Sequence, residues 1–400
     1  MTHVNSRAFG EGITVEMLDE DPYPIYARMR EEFPVCWVPA VGLWFVTRWD
    51  DVQHVVTHPD LFTADVARSP LRRALGENVL TVDGEVHKRL RGPIETGLRP
   101  RAVDAWAPGI VSAIAEPMLD EISPRGRADI MEAFLEPVSV LSLGRVMGLG
   151  ELDANTLRHW FFSLATGGAN HEQDPGKYAI SDAASSAIDD RIAPLLDRLE
   201  DGPGDSLLGA MLRDADGRLR PRREVLSDLK LILLGGMQEP GHGAGLTLWA
   251  LLTHPEQRRK VAEDPTLLAD AVEEGMRWIA PVGTATRQLV SSAPIGGVTL
   301  EAGSRVAAVL ASANRDERRW KQADAFDIER SRQAHRAFGT GPHFCVGHRL
   351  ARHQQSTSLG MLLERLPNLR LDPAEPTEIS GWEFRGPSRL PVLWDPPART

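Results

Sequence analysis

The chain has 400 residues and a formal net charge of −11, and it is 42% hydrophobic and 25% charged. This acidic balance argues against a nucleic-acid binder, because phosphate contacts require clustered lysine and arginine. Cys36 and Cys345 lie far apart in unlike contexts, which excludes a disulfide framework and favours a reducing cytoplasm. The N-terminal stretch has no apolar run typical of a signal peptide, and no stretch reaches the roughly 18 apolar residues of a membrane span. We expect a cytoplasmic protein that binds neither membrane nor nucleic acid.

A chain of this length could form two or three average domains. No internal repeat and no low-complexity linker divides it, however. The sequence therefore predicts one domain over residues 1–400.

The predicted elements are mostly helices. Residues 33–48 alternate and are rich in Val, Trp and Phe, which predicts a hairpin of two strands, and residues 49–62 are typical of a helix that ends before a proline. Helical periodicity dominates from about residue 84 to residue 277. Strand patterns return over residues 293–310 and 384–394. The sequence predicts a mainly α protein with a smaller β portion.

Residues 231–252, LILLGGMQEPGHGAGLTLWALL, begin and end like a buried helix but are interrupted in the middle. Glycine and proline cost roughly 1 and 3 kcal/mol in a helix interior. Pro240 lacks an N–H and clashes with the carbonyl four residues earlier, that of Gly236, which frees this carbonyl for water or a ligand. A break that also carries Gln238 and Glu239 indicates a functional site.

Cys345 follows a glycine-rich loop and precedes a predicted helix. The positive end of the helix dipole favours a thiolate there, and a thiolate is the form that binds metal. No second cysteine stands nearby, which argues against zinc and iron–sulfur sites, and the absence of C-x-x-C-H argues against covalently attached haem. A lone thiolate suits the axial position of a haem. The alternative is a buried structural cysteine.

The residues around Cys345 match a known pattern, F-G-x-G-x-H-x-C-x-G, through Phe338, Gly339, Gly341, His343, Cys345 and Gly347. This pattern resembles the haem-binding loop of the cytochrome P-450 family. The resemblance implies a single haem-thiolate domain with the cytochrome P-450 fold. It also implies haem b as cofactor with Cys345 as the metal ligand. Phe338 and Gly347 would lie against the haem.

Further matches follow the family's order along the chain. Glu274 and Arg277 resemble the family's E-x-x-R, at a spacing that places both on one helix face, and Arg330 resembles the arginine that joins them. These three would form the scaffold behind the haem. As isolated residues they would be ordinary surface groups.

The two propionates of a haem require basic partners. Four residues match the family's propionate-binding positions, namely His87, Arg91, Arg287 and His343. Any one of them alone would more often be a solvated surface residue.

The interrupted helix departs from the A-G-x-[Asp/Glu]-Thr pattern of most cytochromes P-450. Gly235 and Gly236 take the first two positions, but Gln238 stands at the acid and Glu239 at the threonine. The resemblance implies that this break is the oxygen pocket. We expect Glu239 to have a raised pKa and to donate protons, with Gln238 orienting it. The alternative is that water alone relays protons.

Three stretches, LLGGMQEPGHG, EPVSVLSLGRVMGL and GWEFRGPSRLPVLW, resemble the bacterial aromatic O-demethylase branch of the family, which acts on guaiacol-type phenols from lignin. This resemblance implies hydroxylation of an aryl methoxy carbon. The resulting hemiacetal collapses to a catechol and formaldehyde.

The resemblance also suggests the walls of the substrate pocket. Leu80, Val282 and Phe384 are candidate lining residues. Gly168 stands where relatives that take guaiacol have phenylalanine, and the loss of a ring opens ~100 Å³. We expect room for a second methoxy group, as in syringol, or for another larger substituent.

Electrons must come from NAD(P)H through an external flavin or iron–sulfur reductase or a ferredoxin. Arg349 and Arg352 are expected to be exposed and to suit an acidic redox partner, or else to form a plain solvated face. Three alternatives stay open: a hydroxylase of another small hydrophobic substrate in secondary metabolism, a peroxygenase that uses H2O2, and a haem-thiolate sensor without catalysis.

Overall fold

The computed structural model describes residues 2–202 and 204–396, and helices dominate with a smaller β portion. The predicted fold class is therefore confirmed. The predicted domain over residues 1–400 includes residues 1, 203 and 397–400, which lie outside the described range. Among the described helices, none is both long and apolar enough to cross a bilayer.

The helices are distributed along the whole chain. The first eight are α1 Thr2–Glu11, α2 Val15–Glu20, α3 Tyr23–Glu32, α4 Trp49–Thr57, α5 Pro70–Leu75, α6 Gly84–Gly97, α7 Pro100–Ile122 and α8 Glu136–Met147. The others are α9 Ala154–Gly168, α10 Pro175–Asp201, α11 Leu207–Met211, α12 Arg222–Gly236, α13 Glu239–Thr253, α14 Pro255–Glu263, α15 Leu268–Trp278, α16 Leu310–Ala313 and α17 His348–Arg365. Single helical turns occupy Ser123–Arg125, Met131–Leu135, Pro265–Leu267 and Gly341–His343.

The strands are short and form four small sheets. They are β1 Val35–Val38, β2 Leu43–Val46, β3 Phe62–Thr63, β4 Arg127–Asp129, β5 Thr284–Leu289, β6 Ala293–Ile295, β7 Val298–Leu300, β8 Arg305–Val309, β9 Arg370–Leu371, β10 Glu378–Ser380, β11 Gly386–Arg389 and β12 Pro391–Leu393. The largest sheet has the order β1-β2-β8-β5-β3, and the others are β4-β12-β9, β10-β11 and β6-β7.

The predicted hairpin is present as β1 and β2. These strands pair antiparallel, and the facing Trp37 and Trp44 rings lie 5.6 Å apart between centroids. Cross-strand aromatic pairs of this kind stabilise a register. β2 then pairs parallel with β8, which pairs antiparallel with β5, so the hairpin is joined to the strand that carries Arg287.

The interrupted stretch forms two helices. α12 ends at Gly236 and α13 begins at Glu239, so Pro240 lies in the first turn of α13, where a missing N–H leaves no hydrogen bond unmade. At the break, the hydroxyl of Ser139 donates to the carbonyl of Met237 at 2.5 Å. The break is thus held in place by α8.

α13 lies at the centre of the helical part. It packs against α8, α15, α17 and β11. Leu248 of α13, Val272 of α15 and Leu359 of α17 are buried in one apolar cluster. Burying a leucine or valine side chain contributes about 1.5–3 kcal/mol, so these contacts fix α13 and with it the break at its start.

Candidate functional site

One large cavity lies between the break before α13, the loop before α17, strand β5 and the turn before β11. Its volume is about 380 Å³. Fourteen of the residues predicted from the sequence line it: Leu80, His87, Arg91, Gly168, Gly235, Gly236, Glu239, Val282, Arg287, Phe338, His343, Cys345, Gly347 and Phe384. Gln238, Glu274, Arg277 and Arg330 do not line it.

The loop that carries Cys345 is shaped by its backbone. The N–H of Cys345 donates to the carbonyl of Phe338 at 2.9 Å. Gly341 has φ of +73°, and a Cβ there would lie 2.7 Å from the carbonyl oxygen of Val56. Only glycine satisfies both conditions. The loop therefore turns tightly and leaves Cys345 against the cavity.

The protonation of Cys345 depends on what is bonded to its sulfur. Burial raises the pKa of its thiol, and this outweighs the lowering by the backbone N–H of Gly347 and by the charges of Arg91 and Arg352. Cys345 lies three positions before α17 begins, at His348, and the helix dipole falls off within the first turn. The helix end by itself does not outweigh the burial of the sulfur. A metal cation bonded to the sulfur would supply the missing stabilisation.

Two basic residues of the cavity lack acidic partners in the described chain. Nε2 of His87 is buried without a hydrogen-bond partner, and burial, with the charges of His343 and Arg91, lowers the pKa of His87 to about 4. Burial also lowers the pKa of Arg287 to about 10, against the charge of Asp83. Within the described residues, the guanidinium of Arg287 donates one hydrogen bond, to the carbonyl of Thr286 at 2.8 Å. Carboxylates of a ligand would satisfy both groups.

Asp83 is a site residue that the sequence reasoning missed. It accepts hydrogen bonds from Nε2 of His343 at 2.9 Å, the hydroxyl of Thr63 at 2.7 Å and the N–H of Ala64 at 2.7 Å. Burial raises the pKa of Asp83, but these hydrogen bonds outweigh it and lower the pKa to about 2. Its position just before α6, four residues ahead of His87, is the only local signal for this role.

Arg91 has a second role beside the cavity. It donates to the carbonyls of Pro342 at 3.0 Å and Phe344 at 2.7 Å, and it pairs with Glu95. Arg91 therefore holds the cysteine loop in place as well as lining the cavity. The prediction of a propionate partner alone was incomplete.

The basic residues of α17 are paired. Arg349 pairs with Asp104 at 3.0 Å, and Arg352 pairs with Glu273 at 3.0 Å while lying 4.4 Å from the centre of the Phe338 ring. The Arg349 side chain is 40% exposed and that of Arg352 is 24% exposed, and acidic residues distant in sequence pair with both. Arg352 packs over Phe338 instead.

Glu274, Arg277 and Arg330 lie together away from the cavity. The Arg277 guanidinium donates to both carboxylate oxygens of Glu274, and Nε of Arg330 donates to Oε1 at 3.1 Å. Arg277 also reaches the carbonyls of Asn314 and Ala323, each at 2.8 Å. This network ties α15 to the irregular segment that precedes the cysteine loop.

Glu239 and Gln238 differ in position. Glu239 lines the cavity, both its carboxylate oxygens are buried without a partner in the described chain, and burial raises its pKa to about 8. The Gln238 side chain is fully buried, does not line the cavity, and has no recorded hydrogen bond. The raised pKa agrees with the expectation. No hydrogen bond joins the two side chains in the described residues, so the orientation of Glu239 by the Gln238 side chain stays a prediction.

The glycines of the cavity leave unequal amounts of space. A Cβ at Gly235 would meet no atom within 4 Å, whereas a Cβ at Gly236 would lie 3.1 Å from Leu143. A Cβ at Gly168 would lie 3.3 Å from Leu234 and 3.4 Å from Leu71. The space that Gly168 was expected to open is therefore narrowed by two leucines.

Comparison with known proteins decides the family. The sequence model described as Cytochrome P450 matches residues 227–380. Cytochrome P450 107B1 of Saccharopolyspora erythraea is 32% identical over 396 residues, which covers 93% of this chain and 95% of the relative. The chain belongs to the cytochrome P450 family. The 6-deoxyerythronolide B hydroxylase of the same organism is 31% identical over 397 residues, an alignment that covers 94% of this P450 and 96% of the hydroxylase.

The fold of solved P450 structures agrees. The crystal structure of CalO2 superposes with a TM-score of 0.84 at 28% identity, covering 94% of this chain and 96% of that one. Members of the family are haem-thiolate monooxygenases that use O2 and external electrons. The cavity fits that group: Cys345 is its one cysteine, and the orphaned His87 and the unpaired Arg287 suit propionates.

Proposed function

We propose that this P450 removes the methyl group of methoxyphenols of the guaiacol and syringol type, giving catechols and formaldehyde. NAD(P)H would supply electrons through a separate reductase or ferredoxin. The observation that carries the proposal is Glu239, a buried acid that lines the cavity at the helix break, where the family pattern A-G-x-[Asp/Glu]-Thr has threonine. It coincides with the stretches that resemble the O-demethylase branch.

The reaction balances as a monooxygenation. Ar–O–CH3, O2, two electrons and two protons give Ar–O–CH2OH and water. The C–O bond of this hemiacetal then breaks to give Ar–OH and formaldehyde. Haem bound through Cys345 would supply the oxygen chemistry.

The protein's own residues would manage protons and position. Because the pKa of Glu239 is raised to about 8, its carboxyl holds a proton at neutral pH. A buried acid of this kind is suited to general acid catalysis. No other side chain hydrogen-bonds this carboxyl in the described residues, and the backbone N–H groups of Glu239 and Gln238 lower its pKa less than burial raises it.

Apolar groups would orient the aromatic ring. Val282 and Phe384 pair through their backbones in an isolated bridge, so both walls are fixed relative to each other. Leu80 lies on the rim, with 37% of its surface exposed. Walls of this kind position a methyl group and exclude water, which is what the protein must contribute in a haem enzyme.

The size of the substrate depends on Gly168. Leu71 and Leu234 border the position of its absent side chain, so the pocket gains a shallow recess rather than a full ring's volume. A methoxy group is smaller than a phenyl ring. The recess supports syringol over bulkier aromatics.

A second candidate is hydroxylation of a larger secondary metabolite. It is supported by the similarity to 6-deoxyerythronolide B hydroxylase. Formaldehyde separates the two, since hydroxylation of a carbon that is not part of a methoxy group releases none.

The experiment measures formaldehyde from guaiacol, from syringol and from analogues that lack the methoxy oxygen. One arm contains NADH and a reductase, and a separate arm contains H2O2 alone. Formaldehyde with either oxidant supports O-demethylation, and the second arm identifies a peroxygenase. Hydroxylated products without formaldehyde support the second candidate. No product in either arm indicates a sensor and overturns the proposal.

A further inference from the structure

The charged side chains that line the cavity fall into three groups. The basic residues beside Cys345 suit the propionates, and Glu239 lies at the helix break. The third group is His171, Arg305 and Glu383, which belong to the loop after α9, strand β8 and the turn before β11. No step described so far uses this third group.

His171 and Glu383 satisfy each other. Nε2 of His171 lies 3.1 Å from a carboxylate oxygen of Glu383, and the two side chains are 6% and 17% exposed. Burial lowers the pKa of His171, but the charge of Glu383 and the hydrogen bond to it outweigh burial and raise the pKa. Glu383, the acid of this group, is therefore already paired. The His171 ring packs beside Trp382, with 5.9 Å between the ring centroids.

Arg305 is the remaining charge of the group. Its one recorded hydrogen bond goes to the carbonyl of Gly42, at 3.1 Å. No carboxylate in the described chain lies within 4.0 Å of it. A guanidinium has five N–H donors, so most of them stay available. The Gly42 backbone, with φ of +64°, presents the carbonyl that holds the side chain at the cavity wall.

A partly buried cation costs free energy unless an anion or hydrogen-bond acceptors accompany it. Glu383 is bonded to His171, and no salt bridge joins it to Arg305. With two cations and one anion, the group carries an excess positive charge when His171 is protonated. A carboxylate matches the planar donor fork of arginine better than any neutral oxygen does.

We propose that Arg305 binds a carboxylate of the substrate, so that the preferred methoxyarene of this P450 is an aromatic acid that carries methoxy groups. This inference rests on the proposed O-demethylation. The His171–Glu383 pair lies beside the carboxylate site.

The test compares three ligands that share one ring: syringate, its primary amide and syringol. Dissociation constants come from the shift of the haem absorption band during titration of the holoenzyme. We expect syringate to bind at least about tenfold more tightly than the amide, as hydrogen bonds to charged groups allow. Arg305→Met should abolish this preference, and Arg305→Lys should keep part of it.

Arg68→Met is the matched control, because Arg68 is exposed and does not line the cavity. It removes the same charge and should leave the preference unchanged. Haem content, measured in every variant, should stay at the wild-type level. The inference is overturned if acid and amide bind equally, if Arg305→Met keeps the preference, or if Arg305→Met loses haem.

The two proposals fail separately. Formaldehyde from syringol without any preference for the acid leaves O-demethylation standing and removes the carboxylate site. A preference for the acid that depends on Arg305, without formaldehyde from any methoxyarene, leaves the site standing and removes the reaction.

Discussion

The guanidinium of Arg277 donates two hydrogen bonds to the carboxylate of Glu274, from Nε at 2.7 Å and from Nη2 at 2.8 Å. Both side chains are buried, at 2% and 5% exposure. A charged pair taken out of water depends on complete hydrogen bonding. The backbone N–H of Asp327 and the side chain of Arg330 complete the shell of Glu274.

Glu274→Gln should therefore destabilise the fold. It leaves Arg277 buried with a neutral partner, and breaking a buried pair costs about 3–5 kcal/mol. Denaturant unfolding measures the change. Glu329→Gln is the control, because Glu329 is exposed in its pair with Lys260, and exposed pairs contribute less than about 1 kcal/mol. Equal unfolding midpoints for the two variants would contradict the buried network.

Glu239 should make stability depend on pH. Its pKa in the fold is about 8, above the ordinary value of 4.5. The protonated form thus stabilises the fold fully below about pH 4.5, and this contribution is lost as pH rises through about 8. Relative to Glu239→Gln, the wild type should lose free energy of unfolding across that interval, by up to about 1.4 kcal/mol per pH unit. Parallel pH curves for the two proteins would refute the raised pKa.

The same residue should influence turnover. Glu239→Gln cannot donate a carboxyl proton, so we expect more reductant to be consumed per formaldehyde formed. Wild-type coupling should fall as pH rises through about 8, where the carboxyl ionises. The coupling of the variant should be low and independent of pH. Unchanged coupling in the variant would show that water alone relays protons.

Asp83 should stabilise the fold in the opposite pH range. Its pKa is lowered from 3.8 to about 2, so its contribution is present above about pH 3.8 and lost as pH falls through about 2. Asp83→Asn should be less stable than the wild type at neutral pH, with the difference shrinking as the pH falls below about 3.8. Urea unfolding at several pH values measures this. A difference that is constant with pH would contradict the hydrogen bonds to Asp83.

Gly168 should control the choice between guaiacol and syringol. In Gly168→Ala the new Cβ meets Leu234 and Leu71 at 3.3 and 3.4 Å, so the recess shrinks. Syringol should bind several-fold more weakly while guaiacol changes little, as expected when a small cavity is filled. Titration of the haem absorption band with both phenols measures the ratio. Equal losses for the two phenols would place the second methoxy group elsewhere.

The sequence predicted features that depend on local spacing. The cysteine loop follows from its glycines, the hairpin of β1 and β2 from its alternating residue pattern, and the break before α13 from a proline. Each of these signals acts within a few residues. Asp83 could not be predicted, because its partner His343 lies 260 positions away. The narrowing at Gly168 was missed for the same reason, since Leu71 and Leu234 reach it only through tertiary packing.

Two side chains have surroundings that the local sequence did not reveal. The helix after Cys345 was expected to favour its thiolate, and Arg349 was expected to be exposed toward a redox partner. In both cases a tertiary effect prevails: burial raises the pKa of the thiol, and Asp104 pairs with the arginine. Residue type and neighbouring sequence do not reveal either effect.

The most direct measurement follows the methyl carbon. A methoxyphenol labelled with ¹³C in its methyl group is incubated with the holoenzyme, a reductase, NADH and O2. The account predicts that the label leaves as formaldehyde in equal amount to the catechol formed. A product hydroxylated on the ring that keeps the labelled methyl group, or no conversion of any methoxyarene, would contradict it.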